Sequence, residues 1–167
     1  LVVTVNDREG QNVWIFEFDR DTLTRLTFEG RNMRPIWTSD GKAVTFESNR
    51  TGQWSIFTKP ADGSGDAVQL TRSEYVTSPA SWSPDGKKIV FCSDRDGDNE
   101  LFTAELDGFE LINLRQITFH PGGDFQPRWS HDGTKIVFTS NRDGDNEIFS
   151  VSVVEDEDPV QLTHNEI

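Results

Sequence analysis

The sequence predicts an all-β fold, a β-propeller built from four-stranded antiparallel blades. Three observations carry this reading. A Trp-Ser/Thr-x-Asp-Gly signature recurs as Trp37-Thr38-Ser39-Asp40-Gly41, Trp82-Ser83-Pro84-Asp85-Gly86 and Trp129-Ser130-His131-Asp132-Gly133, with the tryptophans 45 and 47 residues apart. Behind each copy come an apolar run and a triplet, Ser48-Asn49-Arg50, Ser93-Asp94-Arg95 or Ser140-Asn141-Arg142. The unit then closes through an apolar-Phe pair (Ile56-Phe57, Leu101-Phe102, Ile148-Phe149) and Leu70-Thr71, Ile117-Thr118 or Leu162-Thr163.

Within a unit, Asp-Gly between two apolar runs predicts a tight hairpin whose type I′ turn needs positive φ at both central residues. It joins a Trp-bearing first strand to a second strand. The second strands, at 44–47, 88–92 and 135–139, are β-branched and aromatic and apolar on both alternating sides. Such a pattern predicts burial on both faces, as stacked blades require. A third strand carries the apolar-Phe pair, and a fourth ends in Leu-Thr.

The first unit begins at the second strand, with Val2, Asn6-Asp7-Arg8, residues 13–18 and Leu26-Thr27. The sequence therefore divides into a partial blade at 1–31 (strands two to four) and blades at 32–75, 76–122 and 123–167. That amounts to about 3.75 blades, forming one propeller domain or half-propeller. Opening on Leu1 without a Met, the chain reads as a mature form or an excised piece, with a lost targeting segment left open. Exposed strand edges are a liability that proteins cover. We therefore expect two copies to associate, each completing the other's first blade in a ring of about eight blades.

The stretches Pro35-Ile36-Trp37-Thr38-Ser39-Asp40-Gly41-Lys42, Pro127-Arg128-Trp129-Ser130-His131-Asp132-Gly133 and Ser140-Asn141-Arg142-Asp143-Gly144-Asp145-Asn146-Glu147-Ile148-Phe149 resemble the WD40-like repeat of TolB-type β-propellers. The resemblance covers essentially the whole chain and is specific for the repeat rather than for one function. It implies a periplasmic or extracellular setting, with a cytoplasmic one left open. It also implies one of three roles: a TolB-like binding protein, a gating propeller of a prolyl-oligopeptidase-like enzyme, or a sensor segment of a bacterial signalling protein.

Charge narrows the partners. The chain carries 29 acidic and 16 basic residues, a net charge of −13, which repels phosphate backbones and argues against nucleic acid. Cationic partners or divalent metals fit better. No apolar run reaches the ~18 residues that a membrane-spanning helix needs, so membrane insertion is not expected. The one cysteine, Cys92, sits in an apolar run and reads as a buried thiol.

Alternating strand directions sort the loops onto two faces. Loops after the second strands, with those joining blades, gather Asp94, Asp96, Asp98, Asp143 and Asp145, together with Glu74, His120 and Asp124. Asp94, Asp96, Asp98, His120, Asp124, Asp143 and Asp145 are the candidate partner-binding residues.

The repeated loop Asp94-Arg95-Asp96-Gly97-Asp98-Asn99-Glu100 and Asn141-Arg142-Asp143-Gly144-Asp145-Asn146-Glu147 spaces oxygen ligands around a glycine, as Ca²⁺ prefers. Its candidate ligands are Asp94, Asp96, Asp98, Asn141, Asp143 and Asp145. Gly97 nonetheless stands at the fourth position, where an EF-hand has its glycine at the sixth. The second blade's Asn49-Arg50-Thr51-Gly52-Gln53 lacks carboxylates altogether. A solvated acidic hairpin that keeps the chain soluble explains the same residues, and no cofactor is required.

Arg8, Arg50, Arg95 and Arg142 recur in every blade, which points to a structural role. Trp14 and Trp54 lie outside the repeat position and read as buried, with an exposed anchor as the alternative. No Gly-x-Ser-x-Gly elbow, His-Glu-x-x-His, phosphate loop or Cys/His cluster is present. We therefore expect a non-catalytic module that binds a protein or peptide on the acidic loop face or in the central channel. The alternative is a gating or catalytic propeller domain of a larger hydrolase or sugar-cleaving enzyme.

Overall fold

Consecutive short strands separated by Gly- and Asp-rich turns can pair only with their sequence neighbours, and they do so throughout. The computed structural model describes residues 1–8, 10–71, 77–95, 97–155 and 157–164, in which there are strands and no helix. The chain divides into two compact units, Leu1–Pro79 and Ala80–Ile167.

Unit 1 holds a three-stranded sheet of β1 (Val2–Asp7), β2 (Gly10–Glu17) and β3 (Thr22–Arg25). Its second sheet contains β4 (Asn32–Trp37), β5 (Ala43–Ser48), β6 (Ser55–Pro60) and β7 (Val68–Gln69), hydrogen-bonded in that order. Next comes the sheet of β8 (Thr77–Trp82), whose first residues precede the divide, β9 (Lys88–Ser93), β10 (Glu100–Asp107) and β11 (Glu110–Gln116). The last sheet contains β12 (Asp124–Trp129), β13 (Lys135–Ser140), β14 (Glu147–Ser152) and β15 (Val160–Gln161). Every sheet is an antiparallel meander, so the expected all-β blade architecture is present.

Burial concentrates in the second and third strands of the three four-stranded sheets. β5 and β9 are buried over nearly their whole length, and β13 alternates between buried and half-buried. Phe46, Phe91 and Phe138 are at most 1% exposed. Each contributes about 1.5–3 kcal/mol of burial. They stack on Phe57, Phe102 and Phe149 of the neighbouring strands at 5.9–6.3 Å. In unit 1 the core joins Val13, Ile15 and Leu26 to Val44, Phe46 and Phe57, with Trp37 against it. In unit 2 it joins Val90, Cys92 and Leu101 to Ile136, Phe138, Phe149 and Val151, with Trp129 against it.

The repeat landmarks acquire physical causes. The guanidinium of Arg50 lies 4.8 Å from the centroid of Phe57, while its Nε donates to Ser48 Oγ (3.1 Å) and its Nη2 to Asn32 Oδ1 (3.0 Å). Arg142 repeats this over Phe149 (4.7 Å), with Ser140 Oγ (3.0 Å) and Asp124 as acceptors. Arg95 lies 4.6 Å over Phe102. One arginine thus clips three strands of its blade together.

The closing threonine acts at the other side of the blade. Thr27, Thr71, Thr118 and Thr163 each accept, on Oγ1, the backbone N–H of Val13, Ile56, Leu101 or Ile148 at 2.8–3.0 Å. This bond continues the ladder where the fourth strand has already ended.

The Asp-Gly turns differ from the expected type I′ form. Gly41, Gly86 and Gly133 have φ of 69–72°, but Asp40, Asp85 and Asp132 are not among the positive-φ residues. A wider loop forms because Thr38 O accepts from Gly41 N (2.9 Å) while Asp40 Oδ1 accepts from Thr38 Oγ1 and Lys42 N. Ser83 with Asp85 and Ser130 with Asp132 repeat the arrangement. The Ser/Thr of the signature is therefore as necessary as its Asp-Gly.

Candidate functional site

The loops expected to carry function are positioned by the second hairpin of each blade. The pairs Ser93↔Glu100 and Ser140↔Glu147 close the hairpins, and the acidic loops connect them. Each loop turns through a bond from glycine to the residue three before it, Gly97 N to Asp94 O and Gly144 N to Asn141 O, both 3.0 Å. Those glycines have φ of 105° and 104°, a left-handed backbone that a side chain strains.

The arginine of each loop folds inward over its phenylalanine. Asp98 and Asp143 are exposed, and Asp94 and Asp145 are half-buried. Asp98, Asp143 and Asp145 have no hydrogen bond or ion pair to any described residue, whereas Asp94 has an interaction within the fold. Asn141 is exposed. Asp96 and Glu74 lie outside the described residues. Among the described residues, no three His, Cys, Asp or Glu side chains are grouped to hold a metal ion.

Asp124 is placed differently from the loop position expected of it. It is the first residue of β12, fully buried, and Arg142 Nη2 binds both its carboxylate oxygens at 3.0–3.1 Å. Its own N–H donates to Asn99 O (2.7 Å), tying β12 to the loop at 94–99 of the preceding sheet.

Glu100 and Glu147, which end the acidic motif, also turn inward and accept from Thr118 and Thr163. Burial raises the Glu100 pKa above its ordinary value, partly countered by the hydrogen bonds from Thr118 and from His120 N–H. His120 shapes its loop: its N–H donates to Glu100 Oε1 (2.6 Å) and its Nδ1 accepts from Gly122 N (2.9 Å). Within the acidic motif, Asp98 and Asp143 are exposed while Glu100 and Glu147 are buried.

Sequence reasoning missed Phe119. It follows the closing threonine directly and is 75% exposed, on a loop held to the hairpin at 94–99 through the His120–Glu100 bond. Residue 123 of the same loop accepts from Asn141 N (3.3 Å), so the segment lies between the two acidic hairpins of unit 2. Phe28 stands at the equivalent repeat position in unit 1, 70% exposed, beside a cleft of about 540 Å³ lined in part by Glu29, Arg50 and Lys59. An aromatic recurring just after Leu/Ile-Thr was the available signal. Trp14 and Trp54, by contrast, are both half-buried.

A family model described as the TolB beta propeller domain matches residues 64–166. An uncharacterized protein of Agrobacterium fabrum is 38% identical over 65 residues, 38% of this chain and 22% of that protein. Among solved structures, TolB from Acinetobacter baumannii aligns at 22% identity and TM-score 0.84, over 98% of this chain and 41% of its own. A putative TolB from Agrobacterium tumefaciens aligns at 24% identity and TM-score 0.83, over 96% of this chain and 59% of its own. A puromycin-hydrolyzing peptidase of Mycobacterium tuberculosis gives 19% identity and TM-score 0.70, over 99% of this chain and 29% of its own. The chain thus spans less than two thirds of each of these relatives, from 22% to 59% of their length.

Proposed function

This chain belongs to the TolB β-propeller domain family, and on that premise we propose that it is a non-catalytic module docking a protein or peptide on the loop face of unit 2. The observation that carries the reading is the contrast within its acids. Asp124, Glu100 and Glu147 are consumed by internal partners, while Asp98, Asp143 and Asp145 have none among the described residues and belong to the two hairpins to which the loop that follows Phe119 is bonded. Unpaired carboxylates steer and orient a cationic partner, and an exposed aromatic supplies an apolar anchor for it. The fitting partner is a basic segment bearing an apolar side chain. Docking of this kind requires no cofactor.

The test is fluorescence anisotropy with a labelled peptide of alternating Lys and Leu, set against its Glu/Leu counterpart. The basic peptide should bind, weaken with added salt, and lose affinity in the triple variant Asp98→Asn, Asp143→Asn, Asp145→Asn and in Phe119→Ser. Equal binding of the acidic peptide would reject the reading.

A second reading, the propeller of a larger enzyme, is favoured by the alignment of 99% of this chain with the puromycin-hydrolyzing peptidase. A hydrolase domain encoded beside this segment in its gene would support it.

A further inference from the structure

The sequence holds seven Asp-Gly pairs, at 40–41, 62–63, 85–86, 96–97, 107–108, 132–133 and 143–144. Such a pair is chemically fragile. Glycine has no side chain to shield its backbone nitrogen, so that nitrogen can attack the aspartate Cγ when both groups are free to meet. The fold restrains the glycine of six pairs and leaves one open.

Two restraints recur. Gly41, Gly63, Gly86, Gly97, Gly133 and Gly144 each donate their N–H to a carbonyl of the same turn, at 2.9–3.2 Å. Carboxylates are held as well. Oδ1 of Asp40, Asp62, Asp85 and Asp132 accepts the N–H of the residue two positions on, at 2.9–3.1 Å. The same oxygen accepts a Ser or Thr hydroxyl at 2.6–2.7 Å. The Lys42 N–H chiefly lowers the Asp40 pKa, and the hydroxyls of Ser64, Ser83 and Ser130 do so for Asp62, Asp85 and Asp132. Each stays ionised, and a carboxylate is a far poorer electrophile than its neutral acid.

Asp107-Gly108 has neither restraint. Asp107 closes the β10–β11 hairpin opposite Glu110, and both residues are exposed. The Asp107 carboxylate has no hydrogen bond or ion pair to any described residue, and the Gly108 N–H donates to none. Asp143 is also exposed and without a partner among the described residues, but Gly144 N stays bonded to Asn141 O (3.0 Å).

We infer that Asp107 is a site of spontaneous isoaspartate formation. The Gly108 nitrogen bonds to Asp107 Cγ, and the carboxyl hydroxyl leaves with the amide proton as water. Water then opens the succinimide. Attack at Cγ restores aspartate, whereas attack at the α-carbonyl leaves the main chain running through Cβ and Cγ. The water lost is regained, so the mass is unchanged. One extra backbone carbon then stands at the end of the ladder, next to the Leu106↔Leu111 pair. The change alters the β10–β11 hairpin and shares no residue with the loop face proposed for docking.

The test incubates the folded chain at mildly acidic pH and physiological temperature, then maps isoaspartate by electron-transfer fragmentation of its peptides. Product should accumulate at 107–108 about tenfold faster than at any other Asp-Gly pair. Incubation in concentrated urea, which removes every turn, should erase most of that difference. Asp107→Glu keeps the charge but would need a six-membered ring, so it should abolish the product at this position. Equal rates at 107–108 and at a hydrogen-bonded pair of the folded chain would overturn the proposal. So would an unchanged ranking in urea, or product that persists in Asp107→Glu.

Discussion

Arg142 donates from Nη2 to both carboxylate oxygens of the fully buried Asp124, at 3.1 and 3.0 Å. Breaking a buried pair from one side leaves an uncompensated charge, which costs about 3–5 kcal/mol. Arg142→Met should therefore lower the urea midpoint severely. Asp124→Asn should cost less, because Asn32 occupies the same repeat position and accepts from Arg50 at 3.0 Å. Equal losses in the two variants would show that the charge of Asp124 is not what Arg142 compensates.

The same pair marks where the sequence stopped being legible. Strands and hairpins followed from periodicity, because Trp, Ser-x-Arg, apolar-Phe and Leu-Thr each recur to make the same kind of contact in successive sheets. Asp124 serves a contact 18 residues away, and its neighbours Gly122 and Gly123 read as a flexible connector. Likewise, Asp40-Gly41 alone suggests a two-residue turn. Only the hydroxyl of Thr38, closing on Asp40 and on Ala43 N, selects the wider loop. Side-chain hydrogen bonds of this kind leave no periodic trace.

The glycines before β4 and β12 have a spatial cause. A Cβ on Gly30 would sit 2.9 Å from Arg50 Cα and N, at φ +67°, and one on Gly122 would sit 2.7 Å from Arg142 Cα. The arginine backbone cannot retreat without breaking its clip. Gly30→Ala should cost about 1–3 kcal/mol. Gly41→Ala, at φ +69° in open space, should cost only about 1 kcal/mol. Melting temperatures that reverse this order would refute the close-approach argument.

Glu47 sets a pH dependence whose sign can be checked. It is 3% exposed, and burial raises its pKa above 4.5, countered in part by Arg34 and Ser78. The folded state then holds a proton that the unfolded chain releases. The associated stability is present below about pH 4.5 and is lost as pH rises through the folded value. Asp132 has the opposite sign, lowered from 3.8 to about 2 chiefly by the Ser130 hydrogen bond, with further bonds from Thr134. Its contribution is present above 3.8 and lost as pH falls towards about 2. Melting temperatures of Glu47→Gln should stay flatter than the native chain's as pH rises above 4.5 and match its acid limb. A native-like decline above pH 4.5 in Glu47→Gln would place the effect elsewhere.

Ionic strength and metal separate direct docking on the loop face from a metal-bridged contact. Asp98, Asp143 and Asp145 have no internal partner among the described residues, so neutralising them to Asn should leave the unfolding free energy within about 0.5 kcal/mol of the native chain's. The same change should remove most of the salt dependence of binding to the Lys/Leu peptide, because exposed charges act within a Debye length of about 8 Å at physiological salt. Direct docking also requires equal peptide affinity in EDTA and in millimolar Ca²⁺. A Ca²⁺-dependent rise in melting temperature, abolished by Asp98→Asn or Asp143→Asn, would instead assign these loops to a metal ion.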